Sequence, residues 1–144
     1  MRCAVRRLGR RLGRRGTILL SYGAVWVLYG YGQLITPQPD QRGLDLLLQA
    51  WPLTVWAGLW IATGCIALAT AWMRQGRDVI GFVALVAMVL PWMLGYLLSW
   101  WPLDTYPRGW VVALIWAAIS VPIVVSSGWQ EPPRPIPVEP PHDS

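Results

Sequence analysis

Four stretches of this chain, 17–35, 51–73, 79–101 and 109–129, contain no Asp, Glu, Lys, Arg or His. Each is about as long as the ~20 helical residues needed to cross a hydrocarbon core of ~30 Å. A backbone inside lipid must satisfy its own hydrogen bonds, and a continuous apolar run of this length does so only as a helix. A barrel would show shorter, alternating segments, which the sequence lacks. The chain therefore reads as an all-α membrane protein, a four-transmembrane-helix antiparallel bundle over 17–129. A basic arm over 1–16 precedes it and a proline-rich tail over 130–144 follows. A soluble domain of 144 residues, with 55% of them hydrophobic and 13% charged, would lack a polar surface, and here the charges fall between the apolar runs.

The connections fit antiparallel neighbours. Residues 74–78 and 102–108 leave room for little but up-down packing. The first connection, 36–50, opens with the turn-rich Thr36-Pro37-Gln38-Pro39-Asp40-Gln41-Arg42-Gly43 and continues through Leu44, Leu46, Leu47 and Leu48. Those leucines suit either a short interfacial helical turn before Pro52 or an N-terminal extension of the second span.

Arginine sets the expected orientation. Arg2, Arg6, Arg7, Arg10, Arg11, Arg14 and Arg15 precede the first span, Arg74 and Arg77 lie in the second connection, and Arg134 lies in the tail. The opposite side carries only Arg42 and Arg108. The positive-inside rule then puts both termini in the cytoplasm of a multi-pass cell-membrane protein. Trp51, Trp100, Trp101 and Trp110 mark the outer interface, and Trp72 and Trp129 the inner one. Trp26, Trp60, Trp92 and Trp116 fall deeper, where an indole N–H favours neighbouring helices over lipid tails.

The arm is a period-four repeat, Arg6-Arg7-Leu8-Gly9-Arg10-Arg11-Leu12-Gly13-Arg14-Arg15-Gly16. Its glycines and like charges argue against a stable helix in water. Arg6, Arg7, Arg10, Arg11, Arg14 and Arg15 are assigned to binding anionic lipid headgroups, each contributing ~1 kcal/mol. Nothing beyond charge supports nucleic-acid binding, which lacks aromatic interleaving or a recognisable fold. Arg14-Arg15 before an apolar run is a poor twin-arginine export signal, because three further spans follow and no Ala-x-Ala site does. The first segment is a signal-anchor.

Small residues recur at four-residue spacing. Thr63, Ala67 and Ala71 form one row in the second span, Gly58 and Ala62 another, and Ala113 and Ala117 a third in the fourth span. Gly23 and Gly30 add a groove in the first. Such rows let helices approach closely, within one chain first and between copies in a homo-oligomer second. Pro91 and Pro122 sit inside the third and fourth spans and are expected to kink them.

Residues for chemistry are scarce. No carboxylate lies within a span, which argues against an ion-coupled transporter. His142 is alone, no Cys/His set has metal spacing, and no glycine-rich phosphate loop occurs. Cys3 and Cys65 are expected at different depths, so no disulfide joins them. Ala62-Thr63-Gly64-Cys65 looks like a lipoprotein box but lies inside a span. Asp40, Asp45, Asp78 and Asp104 read as solvated loop charges. No catalytic, cofactor or metal residue is assigned, and the chain is read as a non-enzyme. The tail, with Pro132, Pro133, Pro135, Pro137, Pro140 and Pro141, favours an extended polyproline conformation, which serves as a spacer off the membrane or a disordered end, or else offers a Pro-x-x-P ligand through Pro132 and Pro135 to a protein partner.

The absence of lysine and asparagine points to a GC-rich coding sequence. With residues 14–23, 37–43 and the proline-rich end, the chain resembles the small four-span membrane proteins of GC-rich actinobacteria and of their phages and mobile elements. That resemblance implies no transferable site residue. Two functions stay open. The preferred one is a structural or interaction protein that anchors partners at the cytoplasmic face. The alternative is a holin-like pore former, oligomerising through its small-residue faces.

Overall fold

A computed structural model describes residues 2–36, 43–73 and 76–129, the side chains of 2–12 excepted. The proline-rich tail lies outside the described residues. Five helices follow in order: α1 (Arg2–Ile35), α2 (Asp45–Ala50), α3 (Leu53–Thr70), α4 (Val79–Trp100) and α5 (Gly109–Ser127). Four are long and apolar enough to span a membrane, α1 doing so from Gly13 onward. The protein is an all-helical, four-span membrane bundle. The end where the α1 span starts and α5 stops is called here the terminal end, and the other the loop end.

The boundaries shift where local chemistry demands it. The second span ends at Thr70, earlier than its apolar run, and passes into a turn through Ala71–Met73. The leucines of the first connection form α2 as a separate helix. Trp51 and Pro52 adopt extended conformations (φ −147°, ψ 148° and φ −63°, ψ 153°) between α2 and α3. A residue before proline is driven out of the helical region, which ends α2 there.

The arm departs from expectation. Residues from Arg2 are helical and join the first span across a kink at Gly13 (φ 69°, ψ −179°). Positive φ at that position suits glycine, which carries no Cβ penalty. Because Gly13 is non-helical, the arm is a separate helical segment that bears its own initiation cost as well as the propensity cost of its glycines.

The core follows from helical rows at three- and four-residue spacing. Leu19, Gly23, Trp26 and Gly30 are buried on α1, and Ala57, Trp60, Gly64 and Ala67 on α3. On α4 the row is Gly81, Leu85, Met88, Trp92, Gly95 and Ser99. α1 packs most extensively on α3, α4 on α5, and α3 on α4. The α1–α3 contact brings backbones together. A Cβ at Gly23 would lie 2.9 Å from the Gly64 carbonyl oxygen, and one at Gly30 would lie 2.6 Å from that of Ala57. Glycine at both points is what permits the approach.

α2 closes the loop end. Leu44 is buried, and Leu47 and Leu48 pack on the core. The Trp56 indole donates to the Leu47 carbonyl at 2.9 Å, tying α2 to the first turn of α3. After α4, the amides of Thr105 and Tyr106 donate to the Ser99 carbonyl at 2.9 and 3.0 Å, which folds the last connection back on its helix.

Candidate functional site

At the terminal end a buried arginine joins three helices. Arg15 lies just before the uncharged part of α1 and Asp78 immediately before α4, so both sit at the same end of the bundle. Arg15 Nε donates to Asp78 Oδ2 at 2.6 Å, and both side chains are 6% exposed. Asp78 Oδ1 accepts the Gly76 amide at 2.9 Å. The Arg15 Nη1 donates to the carbonyls of Ser127 and Trp129, each at 2.8 Å, where α5 ends. The guanidinium carbon lies 5.2 Å from the centre of the Phe82 ring, within the cation–π range.

Helix polarity explains this geometry. The last carbonyls of a helix lack intrahelical partners and carry partial negative charge, so the cation meets α5 where the field favours it. The carboxylate sits at the amino end of α4, where the field favours an anion. One guanidinium thus bridges two helix ends of opposite polarity. A buried charge is tolerable only when paired and hydrogen-bonded, and this one is both.

Two expectations are corrected here. Arg15 is not a lipid-surface residue but an internal tie, and Asp78 is not a solvated loop charge but its partner. The missed signal was positional: an arginine and an aspartate each abut the start of a span on the same side of the membrane. Arg14, next in sequence, is exposed. The side chains of Arg6, Arg7, Arg10 and Arg11 lie outside the described residues.

The centre of the bundle is closed by rings. Trp60, fully buried, meets Trp26, Tyr29, Trp92 and Trp116 at centroid distances of 5.1, 4.8, 5.6 and 5.5 Å. The Trp92 indole donates to the Tyr29 hydroxyl at 3.3 Å. Nε1 of Trp26 and of Trp60 have no hydrogen-bond partner among the described residues. The four deep tryptophans do face other helices. Trp56, which sequence reasoning passed over, joins them through Trp92 at 5.3 Å.

The small-residue rows divide. Ala67, Ala71 and Ala113 are buried inside the bundle. Thr63 and Ala117 are half-buried, and the Thr63 hydroxyl donates to the Leu59 carbonyl of its own helix at 2.8 Å. Gly58 and Ala62 face outward, and a Cβ at Gly58 would meet nothing within 4 Å. Pro91 is half-buried and Pro122 exposed, each inside α4 and α5 respectively, and helical assignment continues through both.

Among the described residues, two recesses flank the end of α5. An apolar groove of ≈ 300 Å³ runs between α4 and α5 past Val83, Val86, Leu90 and Ile123. A second, of ≈ 530 Å³, is lined by Gly13, Arg14, Thr17, Ile18 and Trp129. Among the described residues, no group of three or more His, Cys, Asp or Glu comes together to hold a metal ion. Comparison with family models, curated proteins and solved structures finds no match to the chain. The site must be interpreted from its own geometry.

Proposed function

We propose that this protein is a membrane anchor, a rigid four-span platform that presents its basic arm and proline-rich tail to partners at the cytoplasmic face. The observation that carries the reading is the Arg15 tie. It locks the start of the first span to the ends of α4 and α5, so the points from which arm and tail depart are fixed relative to one another. The arginine asymmetry supports a cytoplasmic position for both. A centre packed with Trp26, Trp60, Trp92 and Trp116 suits a platform better than a passage.

The test places photo-cross-linking residues at Leu12, at Pro135 and, as a loop-end control, at Leu103 in the full chain expressed in cells. Arm and tail positions are expected to capture a shared set of proteins that Leu103 does not. Capture of lipid alone from Leu12 and Pro135 would overturn the reading.

A holin-like pore is the second reading, favoured by the outward Gly58 and Ala62. It requires depolarisation of the expressing cell that Gly58→Leu abolishes. Replacements at Ala67 or Ala113 do not test it, because those side chains are needed inside the bundle.

A further inference from the structure

The recess beside the Gly13 kink is the one cavity among those described above that joins a cationic side chain to an apolar wall at interfacial depth. Its lining is Gly13, Arg14, Thr17, Ile18 and Trp129, and its volume of ≈ 530 Å³ falls within the ~300–1,000 Å³ usual for small-ligand sites. Among the described residues, no carboxylate lines it. The nearest acid in sequence or space that the described residues provide at this end, Asp78, is turned inward, held by Arg15 and the Gly76 amide. Among the described residues, Arg14 therefore brings the recess a positive charge that no lining carboxylate offsets.

The polar atoms are already sorted. The Thr17 hydroxyl donates to the Gly13 carbonyl at 2.8 Å, so it provides no spare donor. Arg15 is committed to Asp78 and the α5 carbonyls. The guanidinium of Arg14 is thus the group that can meet an anion, and its planar fork matches phosphate oxygens. Ile18 and the Trp129 ring form the remaining wall, and tryptophan is the residue that settles at headgroup level.

We propose that this recess binds the headgroup phosphate of an anionic phospholipid, with Arg14 as the phosphate ligand and Ile18 and Trp129 packing on the glycerol and upper acyl chain. Gly13, the non-helical residue at the kink, lines the site at the start of the span. The site needs only the membrane location of the bundle and is independent of any partner recruited by arm or tail. It assigns one arginine of the basic arm a defined ligand, beyond diffuse attraction to a surface.

The experiment is native mass spectrometry of the full chain, released from nanodiscs containing equal phosphatidylglycerol and phosphatidylcholine. Wild-type protein is expected to retain phosphatidylglycerol in excess. Arg14→Gln removes one charge contact worth a fivefold to tenfold factor in retention, by the ~1 kcal/mol per basic residue at an anionic surface and the strength of charge-assisted bonds. Arg77→Gln, an exposed arginine at the same end but outside the recess, is expected to leave retention unchanged. Thr17→Trp fills the recess with every charge kept and is expected to match Arg14→Gln. It also preserves the test should Arg14→Gln insert poorly. Equal retention of the two lipids, or equal losses in Arg14→Gln and Arg77→Gln, would overturn the proposal. Displacement of the lipid by inorganic phosphate at equimolar concentration would overturn the lipid as the source of the anion.

Discussion

Replacing Arg15 with Met keeps an unbranched side chain of similar reach and removes the charge. What remains is a buried Asp78 carboxylate with the Gly76 amide, and two carbonyls at the end of α5 deprived of the Arg15 donor. Breaking one partner of a buried ion pair costs about 3–5 kcal/mol. The two carbonyl bonds are included in that figure and are not added to it. Asp78→Asn is expected to cost less, about 1–3 kcal/mol, because the amide oxygen still accepts from Gly76 while Arg15 keeps both α5 carbonyls. The double variant Arg15→Met/Asp78→Leu removes both charges together and is expected to be more stable than Arg15→Met alone. The coupling energy of the cycle should exceed about 1 kcal/mol. Reversible unfolding in mixed micelles, followed by the fluorescence of the core tryptophans, measures all four proteins. An Arg15→Met cost within about 0.5 kcal/mol of zero, the range of an ordinary surface change, would refute the assignment of Arg15 as an internal tie. So would strict additivity in the cycle.

The same assay separates the glycines. Gly30→Ala puts a Cβ 2.6 Å from the Ala57 carbonyl oxygen and is expected to lose about 1–3 kcal/mol by forcing α1 off α3, whereas Gly58→Ala meets open space and should be neutral within about 0.5 kcal/mol. Trp60→Ala empties the centre of the ring cluster, with an expected loss of about 3–5 kcal/mol and a red shift in the emission of the remaining core tryptophans. Gly43→Ala combines a positive φ of 89° with a Cβ placed 2.8 Å from the Tyr96 ring, so α2 should detach and its amides should exchange faster with deuterium while those of α4 stay protected.

Span number and type were legible because bilayer thickness imposes a length and the chain's charges respect it. Gly23 and Gly30 were legible for a related reason, since close approach requires the absence of a side chain. Ambiguity began wherever a residue type satisfies two environments. An arginine at a span boundary suits a lipid headgroup and a buried carboxylate equally well, and only the packed bundle brings Asp78 to within 2.6 Å of Arg15. Gly58 and Ala62 share the spacing of a packing row, yet the face of α3 carrying Ala57, Trp60 and Gly64 had the better partners on α1. The leucines of α2 became a separate helix because Pro52 constrains Trp51, a local rule the sequence does state but whose outcome depended on what Leu44 and Leu47 then packed against.

The tie at Arg15 differs from the other contacts in what it spans. Gly23 with Gly64 and Gly30 with Ala57 hold neighbouring spans, and the ring cluster fills the middle as helices accumulate. Arg15 meets Asp78 across 63 residues and the α5 carbonyls across 112 and 114, so these partners come together only once α1, α4 and α5 are all in place. A chain stopped after α4 would retain the ion pair but lose the carbonyls that share the guanidinium. A chain lacking α1 would leave Asp78 buried with no cation. Unpaired charge in a membrane is costly, which makes each incomplete bundle less stable than the sum of its helix contacts suggests. The same contact that fixes the departure points of arm and tail therefore also penalises every assembly that lacks α1, α4 or α5.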